Sequence, residues 1–261
     1  MKPSNLARDT TLLFWRGLRA GLRSPLTAFI FPIVFPLLAM IFVSQLYGQI
    51  TKLPAFPDHS YIAYVAPGTL LLVPMMGAGY AATGLVIDAH TGFLDRIRLL
   101  PTRASATVFA KLLFEAVRVL PAGAVVLAVS VALGASAGHG VVTVAGVLGL
   151  IVLWSMAYSG LFYFIGLRTL SAQAPIALLP LALPVLFAST ALMPRALLPG
   201  WLRTTADWNP YTYLVGGART LMAGNSIDVT AVGKAVAVSI VILVVTQILV
   251  LGTFHRVVRA N

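Results

Sequence analysis

Six uncharged apolar runs constrain this chain more than any other feature. They are Ser24–Thr51, Ser60–Ile87, Val119–Gly138, Gly140–Leu167, Thr169–Pro194 and Ala235–Phe254, and none contains Asp, Glu, Lys or Arg. A helix crossing a bilayer needs roughly 20 predominantly apolar residues. Backbone polar groups in hydrocarbon must also be satisfied within the segment, which favours helices for runs of this length. A shorter run, Trp208–Ala218, has about half the necessary length and reads as a re-entrant or interfacial helix. The expected fold class is all-α integral membrane: six transmembrane helices in a single domain over 1–261.

Composition agrees with that reading. Of the 261 residues, 59% are apolar and 10% charged, whereas a soluble domain carries about a quarter charged residues. The net charge of +11 would suggest nucleic acid only as a patch on a soluble domain. Here the basic residues stand between uncharged runs as topology signals, so nucleic-acid binding is not expected. With no cysteine, CxxC metal and redox sites are excluded. Residues 1–23 intersperse Lys2, Arg8, Arg16, Arg19 and Arg23 with Leu6, Leu12, Leu13, Phe14, Trp15, Leu18 and Leu22. The pattern lacks the unbroken apolar core of a signal peptide. It predicts an amphipathic interfacial helix whose Arg stems reach toward headgroups.

Six crossings put both ends of the chain on one side, and the Lys/Arg bias says which. One set of segments holds the N-terminal helix, Arg96, Arg98, Arg103, Lys111, Arg118, Arg168, Arg256 and Arg259. The other holds Lys52, Arg195, Arg203, Arg219 and Lys234. The richer set is cytoplasmic, so both termini are expected there. Residues 88–118 become a cytoplasmic loop with the foot of the third span, and 195–234 an extracellular loop with re-entrant helices. Several runs contain proline, notably Pro32, Pro36, Pro74, Pro121, Pro175, Pro180 and Pro184. Each removes a backbone donor and kinks its helix. The kinks read as ordinary membrane irregularity or as joints in helices that bend to open a path.

No constellation for catalysis occurs. The histidines are scattered without HExxH, no GxSxG is present, and Gly233-Lys234 lacks the upstream glycine of a phosphate-binding loop. The chain is therefore not expected to be an enzyme or to bind a cofactor or metal itself. Energy for any transport would come from a gradient or from another polypeptide. A gradient-driven carrier usually buries an ionisable residue within a span. The nearest candidates are Lys111, Glu115 and Arg118, at i, i+4 and i+7 on one helical face just before the third run. They read as a self-neutralising structural cluster before they read as a proton relay.

Charge is concentrated once more, in FLDRIRLLPTRAS, Phe93 to Ser105. Together with its flanks this stretch resembles the cytoplasmic loop of ABC type-2 export permeases, especially the daunorubicin-resistance type. The match falls on Asp88, Gly92, Phe93, Leu94, Arg96, Pro101 and Arg103, with His90 where the family commonly has Arg. A second stretch, Leu198 to Gly224, is similar to the family's last extracellular segment at Pro199, Trp201, Leu202, Asn209, Pro210 and Arg219. Arg23 to Leu38 looks like the start of the family's first span.

The resemblance implies the transmembrane subunit of an ATP-driven exporter in the plasma (inner) membrane of a bacterium. Its partners would be two copies of a cytosolic ABC ATPase, which binds the ATP-Mg, and a second permease subunit, identical or a paralogue. It also gives the charged loop a purpose. Leu94, Ile97 and Leu100 would be apolar anchors in a cleft of the ATPase. Phe93, Asp95, Arg96, Arg98 and Arg103 would surround them and fix register, and Pro101 would end the helix. On the residues alone, the arginines read equally as lipid anchors that enforce orientation, and the two roles are compatible. The segment with Trp201, Asn209, Pro210, Tyr211 and Arg219 is expected to form an extracellular lid or a structural cap, with Arg219 paired to Asp207 or to an anionic headgroup of a cargo. Apolar span walls suit an amphipathic drug or lipid as cargo. The alternatives are a lipid-linked polysaccharide exporter and, from another class, an ion-gradient-driven carrier or channel.

Overall fold

The structure is a computed structural model and describes residues 6–54, 56–57, 60–90, 104–224 and 226–260. Among the described residues there is no strand. Helix α1 covers Leu6–Arg23, and a π-helical turn, Leu26–Ile30, leads into α2, Phe31–Tyr47. Then come α3, Tyr61–His90, α4, Ala104–Ala132, and α5, Val141–Thr169. Short helices α6, Gln173–Ala177, and α7, Ala182–Phe187, follow. The chain ends with α8, Gly200–Trp208, α9, Pro210–Met222, and α10, Val229–Ala260.

Among the described residues, five segments are long and apolar enough to cross a membrane: Leu26–Lys52, Tyr61–Asp88, Phe109–Ala132, Val141–Thr169 and Val229–Phe254. The second is 72% buried inside the protein, against 17% for the first and 22% for the last. Helix α3 is therefore the axis of the bundle, while α2 and α10 turn most of their apolar surface outward. An all-round apolar helix is the one a bundle places at its centre. Its small residues permit this: a Cβ at Gly68 would meet Ala191, and one at Gly79 would meet Leu179.

The run expected to be the fifth span, 169–194, is not one helix. It is α6, a 3₁₀ turn at Leu179–Leu181, α7, and then turns, as Pro175, Pro180 and Pro184 dictate. The segment nevertheless runs antiparallel to α3 along nearly its whole length. Thr83 Oγ1 donates to the Ala172 carbonyl at 3.0 Å at one end. At the other, the hydroxyls of Tyr64 and Tyr61 donate to the carbonyls of Thr190 (3.0 Å) and Leu192 (2.8 Å). From Thr83 to Tyr61, α3 rises about 33 Å. Proline-broken backbone leaves carbonyls to be satisfied from outside, and here Asn209 Nδ2 donates to those of Val185 (2.7 Å) and Ala188 (2.8 Å).

These contacts fix which ends lie together. Helices α8 and α9 share an end with the α4–α5 turn, where Thr143 Oγ1 donates to the Leu221 carbonyl at 2.7 Å. At the opposite end, α1 meets the last turns of α3, and Val250 and Phe254 of α10 border one small cavity with Leu85 and Thr107. The described parts of α1 and α10 nearest the chain termini thus sit at the same end of the bundle.

The third span differs in extent from its apolar run. The run begins at Val119, whereas α4 begins at Ala104, so Lys111, Glu115 and Arg118 lie inside the helix. Glu115 and Arg118 are buried.

Candidate functional site

Two charged assemblies occupy the α1 end and the middle of the bundle. The first is centred on Asp88, in the last turns of α3. Arg16 of α1 forks onto it, Nη2 to Oδ1 at 2.5 Å and Nη1 to Oδ2 at 3.2 Å. Lys111 of α4 reaches Oδ2 at 3.4 Å. One carboxylate thereby ties together the surface helix, the helix that enters residues 91–103 and the helix that leaves them. A bidentate Arg–carboxylate pair adds geometric definition to its energy. The loop residues themselves, Phe93, Leu94, Asp95, Arg96, Ile97, Arg98, Leu100, Pro101 and Arg103, lie outside the described residues.

The second assembly lies deeper. The Glu115 carboxylate is fully buried and accepts from Arg118 Nη2 (2.5 Å), the Tyr163 hydroxyl (3.0 Å) and Ser155 Oγ (3.4 Å). Arg118 in turn donates through Nη1 to the Ala28 carbonyl at 3.2 Å, inside the π turn that precedes α2. Its guanidinium lies against Gly77 of α3, where any Cβ would collide with it. The pair bridges α4 to α5, α3 and the start of α2. Helical spacing put Lys111 on the same face as Glu115 and Arg118, but the structure splits the three: Lys111 joins Asp88, and the other two pair with each other.

At the far end, α8 and α9 form a helix pair with a sharp break at Asn209-Pro210. Asn209 caps α9, its side-chain oxygen accepting from Tyr211 N at 2.9 Å, and Pro210 occupies the first helical position, the favoured arrangement at a helix start. Tyr211 is fully buried and donates to the Gly68 carbonyl at 2.5 Å, fastening α9 to α3. Trp201 and Trp208 are exposed, as rings at headgroup depth would be. Arg219 stacks over the Tyr64 ring, 3.9 Å from its centroid, and donates to the Thr190 carbonyl at 3.0 Å. Asp207 takes Arg195 instead, in two bonds of 2.7 Å. That guanidinium holds the Asp207 carboxyl below the usual carboxylate range, and the carboxylate raises Arg195 in return.

Arg16, Tyr163, Ser155 and Gly77 were not singled out as site residues from the sequence. Arg16 and Asp88 are 72 positions apart, and no local pattern links them. Among the described residues no cluster of His, Asp and Glu could hold a metal ion.

A bundle of long apolar helices, with a surface helix clamped at one end and a capped pair of short helices at the other, is the architecture of a multi-pass membrane protein. The chain belongs to the ABC-2 type transporter family, whose model matches residues 8–223. It is 28% identical over 219 residues to the daunorubicin resistance ABC transporter permease protein DrrB1 of Streptomyces coeruleorubidus, covering 81% of this chain and 74% of that protein. It is 27% identical to the protein ycf38 of Cyanophora paradoxa, named as a transport permease, over 78% of this chain and 70% of that one. The DrrC protein of Mycobacterium tuberculosis, named for doxorubicin resistance, is 23% identical over 78% of this chain and 73% of its own length. These relatives are permease subunits of drug-resistance transporters or transport permeases, and the chain is likewise a membrane-spanning transporter subunit.

Proposed function

We propose that this chain is the permease of an ATP-driven exporter, with no ATPase or other catalytic site of its own. It works beside a second permease subunit, a copy or a paralogue, on two copies of a cytosolic ABC ATPase that carries the ATP-Mg. Family membership supports the ATPase partner, and the Asp88 node supports the route of coupling. A push on residues 91–103 would move α3 and α4 through their ends, while Arg16 and Lys111 hold those ends and α1 in one unit. The force would shift the balance between inward-open and outward-open states.

In this reading the polypeptide crosses the bilayer six times, with both termini cytoplasmic. The support is the segment after α5, which follows α3 from Thr83 to Tyr61 over about the thickness of a hydrocarbon core. The α8–α9 pair is then an extracellular lid held by Arg219, Asn209 and Tyr211. Cargo is an amphipathic drug or lipid, moved outward across the plasma membrane.

The test is affinity purification from mild-detergent membranes of the native host. A stoichiometric soluble ATPase is expected to accompany the wild-type chain and to be lost from the Arg96→Glu, Arg98→Glu double variant, which still inserts. Retention of the ATPase by that variant, with full coupled turnover, would remove the docking role.

A further inference from the structure

Between α1, the π turn, α3 and α4 lies a cavity of about 380 Å³, within the range of small-molecule sites. Among the described residues, three cations border it, Arg16, Lys111 and Arg118, against one carboxylate, Asp88. Glu115 behind the wall neutralises Arg118, which still leaves an excess of positive charge. Two polar groups on the wall are buried and unsatisfied: Arg118 Nε and Thr107 Oγ1 find no partner among the described residues. A buried donor without an acceptor is costly, and native proteins rarely tolerate it without water, an ion or a ligand to complete it. Neither atom opens onto the cavity itself, so it is the excess of guanidinium and ammonium donors on its wall that calls for an occupant with acceptor oxygens.

The rest of the wall says what else that occupant carries. From Gly77 to Asp88 the α3 side of the cavity extends about 16 Å, and Gly17, Ala20 and Gly84 keep it open. Leu13, Tyr80 and Phe114 give it an apolar lining, and Ile87 is half exposed at its edge. A free inorganic anion would use the cations and leave the apolar length empty.

We propose that this cavity is a binding site for an amphiphile with a negatively charged, oxygen-rich headgroup, of the chemistry of an anionic phospholipid. The headgroup sits between Lys111 and Arg118, two turns apart on one face of α4, and the alkyl chain leaves past Tyr80 and Ile87. The excess positive charge rejects cationic amphiphiles. This inference needs the membrane-embedded bundle and does not depend on the ATPase partner.

The experiment is native mass spectrometry of the purified full-length chain in detergent, offered phosphatidylglycerol, phosphatidylcholine or dodecyltrimethylammonium at equal concentrations. Phosphatidylglycerol adducts are expected to exceed the other two by roughly tenfold. Gly84→Leu fills the cavity at a position where a Cβ meets no other atom, and it is expected to abolish the preference. Gly149→Leu, on the outer face of α5 with equally open space, is expected to retain it. Arg118→Met is also expected to abolish it. Because that variant strands Glu115, the Gly84 and Gly149 pair carries the decision. Equal retention of the three amphiphiles, or Gly84→Leu behaving like Gly149→Leu, would overturn the site. Displacement of phosphatidylglycerol by millimolar inorganic phosphate would assign the cavity to a free anion and overturn the amphiphile.

Discussion

Replacing Arg118 by Met tests whether the central ion pair holds the bundle together. The variant keeps most of the side-chain volume and removes the charge, leaving the fully buried Glu115 with two hydroxyl donors, Tyr163 and Ser155. Removing one partner of a buried ion pair costs about 3 to 5 kcal/mol, whereas replacing both by apolar residues is often neutral or stabilising. Glu115 relieves part of the cost by taking up a proton, so the lower end of that range applies. For a chain of this size about 1 kcal/mol corresponds to roughly 2 to 4 °C in Tm. The single variant should therefore lose on the order of 6 to 12 °C. The double variant Glu115→Leu, Arg118→Met should recover most of that loss. The assay is the fraction of detergent-solubilised protein that remains monodisperse after heating. A single variant within about 2 °C of wild type, or a double variant no better than the single, would refute the pairing as a structural tie.

Other outcomes follow from named contacts. Gly77→Ala adds a methyl group where the Arg118 guanidinium lies, and should destabilise in the same assay although alanine is the better helix former. Asn209→Ala removes an N-cap and leaves the carbonyls of Val185 and Ala188 without their donor. It should cost about 1 to 3 kcal/mol, read as faster proteolysis between α5 and α8. The depressed Asp207 carboxyl gives the Arg195–Asp207 tether of α8 a pH signature. Its contribution is present above the unfolded carboxyl value, about 3.9, and is lost as pH falls through the lower folded value. The protection factor of the α8 amides should therefore be unchanged from neutral pH down to about 5, falling only in stronger acid, and Asp207→Asn should abolish that fall.

How much of this was legible in the sequence depends on the range of the interaction. Apolar periods are local, so three of the expected spans correspond to single long helices in nearly the expected places, and the first to α2 with the π turn before it. The third was displaced because an uncharged-run criterion stops at Arg118, while the helix carries Glu115 and Arg118 inside by letting them neutralise each other. The fifth was legible as prolines but not as a broken path, since its course is set by Thr83, Tyr64, Tyr61 and Asn209 on other elements. The partners of Arg219 were undetermined for the same reason. A stacked tyrosine and a carbonyl 29 residues away have no sequence signature, whereas the nearby Asp207 does. The Arg16–Asp88 clamp was invisible because each residue alone looks like an ordinary interfacial charge.

The central claim is that ATP hydrolysis by a partner drives outward movement through this subunit. The most direct measurement is flux of a fluorescent amphiphile in vesicles reconstituted with the chain and its co-purifying ATPase. The account predicts transport that requires ATP-Mg, ignores an imposed proton or sodium gradient, and stops with Asp88→Asn while the ATPase stays bound. Transport driven by an ion gradient in vesicles holding the chain alone, with no nucleotide, would contradict it.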